Sequence, residues 1–182
     1  EFLTPESAAI CARERAAGRA PVTMANAERA ILARLRAMRE EDFAPFDGGG
    51  EGLYHRFYDA VQRETTIDGI LAAAKSKRYA YARLRRLLLA AYLGVTPEDI
   101  PQRVPYLRVL ACNARGREVL RCMKTTAAAP VLTRSADVRR LDAGAQRLFA
   151  LTARAEEQYV LAYPDLAAAR PGSAWTTDPV IL

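Results

Sequence analysis

Residues 75–86, KSKRYAYARLRR, contain the densest group of basic side chains in the sequence. Half of these residues are cations with no acid among them: Lys75, Lys77, Arg78, Arg83, Arg85 and Arg86. The planar guanidinium of arginine donates two parallel hydrogen bonds to a phosphate, and arginine is the commoner cation here. These residue types predict a binding site for a polyanion.

The charge of the whole chain points to the same segment. The 182 residues contain 27 basic and 21 acidic side chains, a net charge of +6. Subtracting the six cations of residues 75–86 leaves 21 basic against 21 acidic residues. Because the excess equals the charge of one short segment, a local binding footprint is favoured over a general role in solubility.

An amphipathic helix over 75–94, ending at Gly94, is predicted to present these cations. On a helical wheel Leu84, Leu87 and Leu88 share one face, and the cations lie opposite them together with Tyr79. Several cations lie near the predicted helix N-terminus, where the backbone dipole favours an anion. Tyr79 and Tyr81 could stack on unpaired bases, although Tyr81 borders the apolar face.

A charge run is more simply a solvated helix face, and here acids of another helix, such as Glu40, Glu41 and Asp42, could neutralise it. That interpretation predicts little dependence of any binding on salt. If all six cations contacted phosphates, the log–log salt slope for a nucleic acid would be about −4 to −5.

Periodicity and capping residues predict a mainly α fold, a multi-helix bundle. Thr4 and Thr66 are placed as N-caps, and "TPED" (96–99) resembles another helix start. Two short apolar runs, YLRVLAC and APVLTR, allow a small two-stranded β element near residues 106–134. The predicted helices cover residues 4–19, 24–38, 52–64, 66–74, 75–94, 114–127 and 141–162.

Other chemistry is sparse in the sequence. His55 is the single histidine and is expected to pack beside Tyr54 or Phe57. No catalytic set or metal-ligand set stands out, so we predict no catalytic residue and no metal. The glycine-rich segment 46–53 lacks the Lys-Ser/Thr ending of a phosphate loop and is interpreted as a connector.

The expected compartment is the cytoplasm. Three widely spaced cysteines indicate neither a disulfide framework nor a zinc site. No apolar run reaches the ~18–20 residues of a membrane span, so no membrane association is expected.

Several segments in order resemble the tRNA(Met) cytidine acetate ligase family, over roughly residues 24–182. The segments are EGLYHRF (51–57), KSKRYAYARLRRLLLAAYLG (75–94), PYLRVLACNARGREVL (105–120), APVLTRSAD (129–137) and WTTDPVIL (175–182). The chain differs from the usual family pattern at Ser76, where Thr is common, and at Ala111 and Cys112.

The resemblance implies a full-length enzyme that uses ATP and acetate to form acetyl-adenylate and then acetylates the wobble cytidine of elongator tRNA(Met). In that family an N-terminal nucleotidyltransferase domain with an H-x-G-H motif performs the ATP chemistry. This chain has no such motif and does not begin with Met, so it is expected to be a C-terminal half that is inactive alone. Its partners would be tRNA and the missing domain.

Three domain segments are expected on this basis: a linker with a short helix (1–23), a helical domain (24–170) and an extended tail packed on it (171–182). The six cations of residues 75–86 are the predicted tRNA contacts, positioning the phosphate backbone. Arg108, Arg115 and Arg117 are second-rank candidates.

Two other functions remain open from the residues. One is a helix-turn-helix DNA-binding module with the basic helix as its recognition element, although few Asn or Gln side chains are available to read bases. The other is a scaffold whose basic helix docks an acidic protein.

Overall fold

The computed structural model describes residues 3–47 and 52–182. Its α-helices are α1 (Pro5–Ala16), α2 (Glu28–Arg36), α3 (Ala44–Asp47), α4 (Leu53–Arg63), α5 (Ile67–Ala74), α6 (Tyr81–Leu93), α7 (Ala114–Thr126), α8 (Ala143–Tyr159) and α9 (Ser173–Thr176). Its strands are β1 (Leu107–Arg108), β2 (Ala111–Cys112), β3 (Val131–Leu132) and β4 (Val180–Ile181). The predicted mainly α fold is confirmed. Residues 48–51 of the predicted connector lie outside the described residues.

Contacts divide the chain into two compact units. Unit 1 comprises Glu1–Pro97 and Gln158–Arg170, and unit 2 comprises Glu98–Glu157 and Pro171–Leu182. This division differs from the expected domain segments 1–23, 24–170 and 171–182, with which it shares the boundary after residue 170.

Unit 1 is built on amphipathic helices. Leu53, Phe57, Ala60 and Val61 follow the spacing of one helical face and are buried along α4. The other fully buried side chains of this core include Leu35, Phe43, Ile70, Leu84 and Leu88.

Threonine caps begin two helices of unit 1 where they were predicted. Thr66 Oγ1 accepts a hydrogen bond from the Gly69 amide at 3.0 Å and starts α5. Thr4 accepts from the Ser7 amide at 3.3 Å, with Pro5 in the first turn of α1. Such side chains satisfy amides that the helix itself leaves unpaired.

The predicted start of the basic helix is wrong. Residues 75–80, which we call the basic loop, are not helical, and α6 begins only at Tyr81. Lys75 and Ala80 have extended backbone conformations. Tyr79, predicted on the cationic face, is buried in the unit 1 core, so the chain must leave helical geometry to bring it there.

Unit 2 combines a small core with two pairs of parallel strands. Buried side chains of Leu132, Val138 and Phe149 form its centre. β1 pairs with β3 in the register Leu107↔Val131, which is the strand pair expected near residues 106–134. β2 pairs with β4, so the C-terminal tail packs as an extended segment as expected, but its pairing with β2 was not predicted because the two strands lie far apart in the chain.

Neighbouring leucines of α6 test the inferred core. Leu88 is fully buried and Leu89 is 37% exposed. We expect Leu88→Ala to lower the free energy of unfolding by about 2–5 kcal/mol, because it removes apolar contacts and leaves a cavity. Leu89→Ala should cost about 1 kcal/mol or less. Urea denaturation followed by circular dichroism measures both, and equal losses would contradict this orientation of α6.

Candidate nucleic-acid interface

The predicted cations divide between the basic loop and the first turns of α6. Lys75, Lys77 and Arg78 lie in the loop. Arg83, Arg85 and Arg86 lie on the helix, whose opposite face buries Leu84, Leu87, Leu88, Ala91 and Tyr92. The apolar face therefore fixes the direction in which Arg85 and Arg86 point, and both are exposed.

Arg56 anchors the beginning of the basic loop. Its Nε donates to the Ala74 carbonyl oxygen at 3.0 Å, and its Nη2 donates to the carbonyl oxygens of Ala73 at 3.0 Å and Lys75 at 3.2 Å. These carbonyls lie at the C-terminal end of α5, where a cation is favoured by the helix dipole. The role of Arg56 was not predicted, because an arginine on an amphipathic helix is usually expected to point to solvent without a structural partner. The one indication of a role in the sequence was its place in the segment EGLYHRF.

The other end of the loop is anchored by Tyr79. Its ring is buried, and the Arg83 guanidinium carbon lies 5.3 Å from the ring centroid. Stacking of Tyr79 on an RNA base, suggested by the sequence, is therefore blocked by its burial. Tyr81 is 45% exposed, and Lys75 Nζ lies 5.8 Å from its ring centroid.

Arg83 contacts a buried carboxylate of unit 1. Its Nη2 lies 3.5 Å from Asp47 Oδ1 and donates to the Asp47 backbone oxygen at 3.0 Å. The Asp47 side chain is only 2% exposed, and a buried carboxylate requires a cationic or hydrogen-bonding partner. The expectation that Arg83 points freely to solvent is corrected by this contact.

The remaining cations of the segment are presented to solvent. Lys77, Arg78, Arg85 and Arg86 are exposed, and no carboxylate of residues 3–47 or 52–182 forms an ion pair with them. Lys75 differs, because its ammonium donates to the Ser76 backbone oxygen at 2.7 Å.

The acids that could have neutralised this segment have other partners. Glu40 contacts His55. Glu41 and Asp42 lie 3.0 and 3.6 Å from nitrogens of Arg39. The alternative of a basic segment paired with these three acids is therefore not what the structure contains.

The start of α6 adds to the positive potential. Its N-cap is Ala80, whose methyl group cannot accept a hydrogen bond, and its first turn contains no acid. Amides at a helix start carry partial positive charge and bind anions. This helix end and the exposed cations are together suited to holding phosphates: Lys77, Arg78, Arg85 and Arg86.

The second-rank candidates have different environments. In unit 2, Arg108 Nη1 lies 2.8 Å from Glu156 Oε1, its Nη2 donates to the Ala174 carbonyl at 3.2 Å, and its guanidinium stacks 5.3 Å from the Phe149 ring centroid. Arg108 is thus an internal contact of unit 2. Arg115 and Arg117 are exposed on α7.

His55 packs against the Tyr54 ring, one of the two neighbours expected from the sequence. Its ring centroid lies 3.9 Å from that of Tyr54, next to the contact with Glu40. Within residues 3–47 and 52–182, no cluster of three or more His, Cys, Asp or Glu side chains is arranged to hold a metal ion. The helices in this part of the chain include none that is long and apolar enough to cross a membrane.

Replacing Arg56 tests whether it holds the basic loop. In Arg56→Gln we expect amide exchange at Lys75 and Tyr79 to rise on the order of tenfold, because the loop loses charge-assisted hydrogen bonds at its first residue. Hydrogen exchange with mass spectrometry measures this. Arg63→Gln, on the same helix and 77% exposed, removes only a weak surface pair and is the matched control. Unchanged exchange in Arg56→Gln would show that the loop does not depend on this arginine.

Comparison with known proteins relates the chain to one family. A family model described as HIGH Nucleotidyl Transferase matches residues 1–172. The match includes residues 1–23, which precede the segments that carry the sequence resemblance. The chain itself contains one histidine and no H-x-G-H sequence.

Curated relatives and solved structures agree with this match. The tRNA(Met) cytidine acetate ligase of Syntrophomonas wolfei is 28% identical, over 98% of this chain and 45% of that protein. That of Kosmotoga olearia is 37% identical, over 70% of this chain and 31% of the relative. The crystal structure of Thermotoga maritima TmcAL bound with alpha-thio ATP has a TM-score of 0.91 and 25% identity, over 99% of this chain and 47% of that one.

The chain spans about half the length, or less, of the relatives it matches. The resemblance to tRNA(Met) cytidine acetate ligases that the sequence predicted is confirmed, and the chain belongs to the HIGH nucleotidyl transferase family.

Proposed function

We propose that this chain is the tRNA-binding part of a tRNA(Met) cytidine acetate ligase. The observation that carries the proposal is the exposed set Lys77, Arg78, Arg85 and Arg86, which have no carboxylate partner within the described residues. The names of the relatives support tRNA as the polyanion.

Anchoring of the loop favours binding with a fixed geometry. Arg56 holds the loop at Lys75 and the buried Tyr79 holds its other end, so less conformational freedom is lost when a phosphate backbone binds. Contacts of this kind set the position and affinity of the RNA without reading its sequence. Arg83 and Arg108 are left out of the proposed interface because carboxylates of the same unit already engage them.

We assign the adenylation chemistry to another part of the protein. ATP and acetate would form acetyl-adenylate on a nucleotidyltransferase domain N-terminal to this chain, and the acetyl group would pass to the N4 amine of the wobble cytidine. The single histidine supports this division, since a motif with two histidines cannot be formed here. On this proposal the chain belongs to the C-terminal half of the enzyme and is inactive alone.

Charge removal at the interface tests tRNA binding. With four phosphate contacts, we expect a log–log salt slope of about −3 to −4 for the unaltered chain, shallower than six contacts would give. The variant K77Q/R78Q/R85Q/R86Q should bind tRNA weaker by on the order of tenfold or more, with most of the salt dependence removed. Filter binding at several salt concentrations measures both quantities.

A matched variant separates this interface from general charge. R15Q/R29Q/R34Q/R170Q removes the same charge from exposed positions of unit 1 and should bind tRNA nearly as well as the unaltered chain. Equal losses in the two variants, or binding that does not respond to salt, would count against the proposed interface. Tighter binding to duplex DNA than to tRNA would instead support the helix-turn-helix alternative, in which α5, the basic loop and α6 form the module.

A further inference from the structure

Helix α7 of unit 2 lacks the buried face that usually holds a helix in place. None of the thirteen residues of this helix, Ala114–Thr126, is buried. Its net charge is +3, from one acid, Glu118, and four cations, Arg115, Arg117, Arg121 and Lys124. A helix with this composition is suited to contact an anionic partner.

Three of these cations line one cleft. Arg117, Arg121 and Lys124 are spaced by four and three residues, so they share a face of α7. The cleft has a volume of about 390 Å³, within the range of small-ligand sites. From Arg117 to Lys124 the helix rises about 10 Å, more than one phosphate group occupies.

The opposite wall of the cleft is held by backbone hydrogen bonds. The Val180 amide donates to the Leu110 carbonyl and the Leu182 amide donates to the Cys112 carbonyl, each at 3.0 Å. The C-terminal strand β4 is thereby fixed beside β2, and Pro179 and Ile181 line the cleft. The cleft is thus bounded by two ordered elements of the same unit.

The chemistry of the cleft combines charge with an apolar surface. The lining contains one acid, Asp178, beside the three cations, and apolar side chains come from Val109, Leu120, Pro179 and Ile181. In the described parts of the chain none of the three cations is paired with a carboxylate, whereas Arg108 and Arg134 of the same unit are. An unpaired nucleotide has the matching features, a flat apolar base beside an anionic phosphate.

We propose that the cleft between α7 and β4 binds an unpaired segment of RNA. Phosphates contact Arg117, Arg121 and Lys124, and a base lies against the apolar side chains. The inference rests on the proposed function in one respect, that the natural ligand of this chain is tRNA. Arg121 and Lys124 thereby join Arg117, which the sequence had singled out, and Arg108 is excluded by its contacts with Glu156 and Ala174.

The test compares RNA with and without unpaired nucleotides. The probes are a fluorescein-labelled RNA hairpin with a seven-nucleotide loop and a fully paired RNA duplex of the same stem, titrated with the complete chain by fluorescence anisotropy. R117Q/R121Q/K124Q should bind the hairpin with a log–log salt slope shallower by about 2, because each cation bound to a single-strand phosphate contributes ~0.7 to the slope. Its affinity for the duplex should stay close to that of the unaltered chain.

The control variant is R139Q/R147Q/R154Q, which removes three exposed cations of unit 2 that do not line the cleft. It should retain the affinity and salt slope of the unaltered chain for both probes. If its hairpin affinity falls as far as that of the cleft variant, the effect is one of net charge and the proposal is wrong.

Cysteine protection gives a second measurement that needs no substitution. Cys112 lines the cleft, while Cys11 and Cys122 are exposed outside it, and Cys122 lies on α7 itself. Saturating hairpin RNA should slow alkylation of Cys112 by iodoacetamide at least several-fold, with Cys11 and Cys122 unaffected. Peptide mass spectrometry after timed quenching resolves the three sites.

The outcomes separate this proposal from the proposed function. If the hairpin protects Cys112 and the cleft variant binds it more weakly, the proposal is supported. If tRNA binding depends on Lys77, Arg78, Arg85 and Arg86 but Cys112 is alkylated at the same rate with and without hairpin, the cleft proposal is overturned and the proposed function stands. If the chain binds no RNA, both are overturned.

Discussion

The contact between Arg56 and the C-terminal end of α5 is the interaction on which the basic surface depends. A helix ends with carbonyl oxygens that have no partner within it, and these oxygens carry partial negative charge. Arg56 donates to three consecutive carbonyl oxygens, the last belonging to Lys75. At the other end of α5, Glu28 Oε1 accepts from the Ile67 amide at 2.9 Å. Each end of this short helix therefore meets a side chain of the complementary charge, which fixes where the basic loop begins.

The arginines of this segment have two physical roles that the sequence alone did not separate. Arg83 is half-buried and pairs with the buried carboxylate of Asp47. Without Arg83, that carboxylate would keep one weak contact, to the Tyr54 amide at 3.4 Å. Arg85 and Arg86, two and three residues further on, are exposed. Contacts with Asp47 and with the buried Tyr79 ring, rather than position on the helix, distinguish Arg83 from these two neighbours. Some cations of residues 75–86 thus stabilise the interior of unit 1, while others are exposed and available to bind a ligand.

Local rules predicted the fold best. Thr4 and Thr66 act through residues three positions away, and the apolar spacing of α4 is a property of one helix, so these features can be read from short stretches of sequence. The misplaced start of α6 has a different origin. A helical wheel places Tyr79 by its spacing to its neighbours, whereas its burial is decided by the packing of unit 1.

The sequence predicted which residues make up the candidate site but not the contacts that hold them in place. The cations that carry the proposal were identified from residue type and spacing, and four of the six are exposed as expected. Arg56 contacts residues 17–19 positions further along the chain, and Asp47 contacts Arg83, 36 positions further along. Periodicity cannot predict contacts between residues so far apart in the sequence. The pairing of β2 with β4 was not predicted for the same reason, since the two strands lie far apart in the chain.

The net charge of the chain was a poor predictor of which cations are free to bind an anion. Subtracting the six cations of residues 75–86 left equal numbers of acids and bases, which suggested that the rest of the chain is electrically unremarkable. Yet α7 carries +3, because acids that balance it in the sum lie next to other cations, as Glu14 does with Arg19 and Glu156 with Arg108. Electrostatic interaction in salt solution decays over about 10 Å. A phosphate that approaches α7 therefore responds to the cations of that helix, and acids already paired elsewhere do little to oppose them.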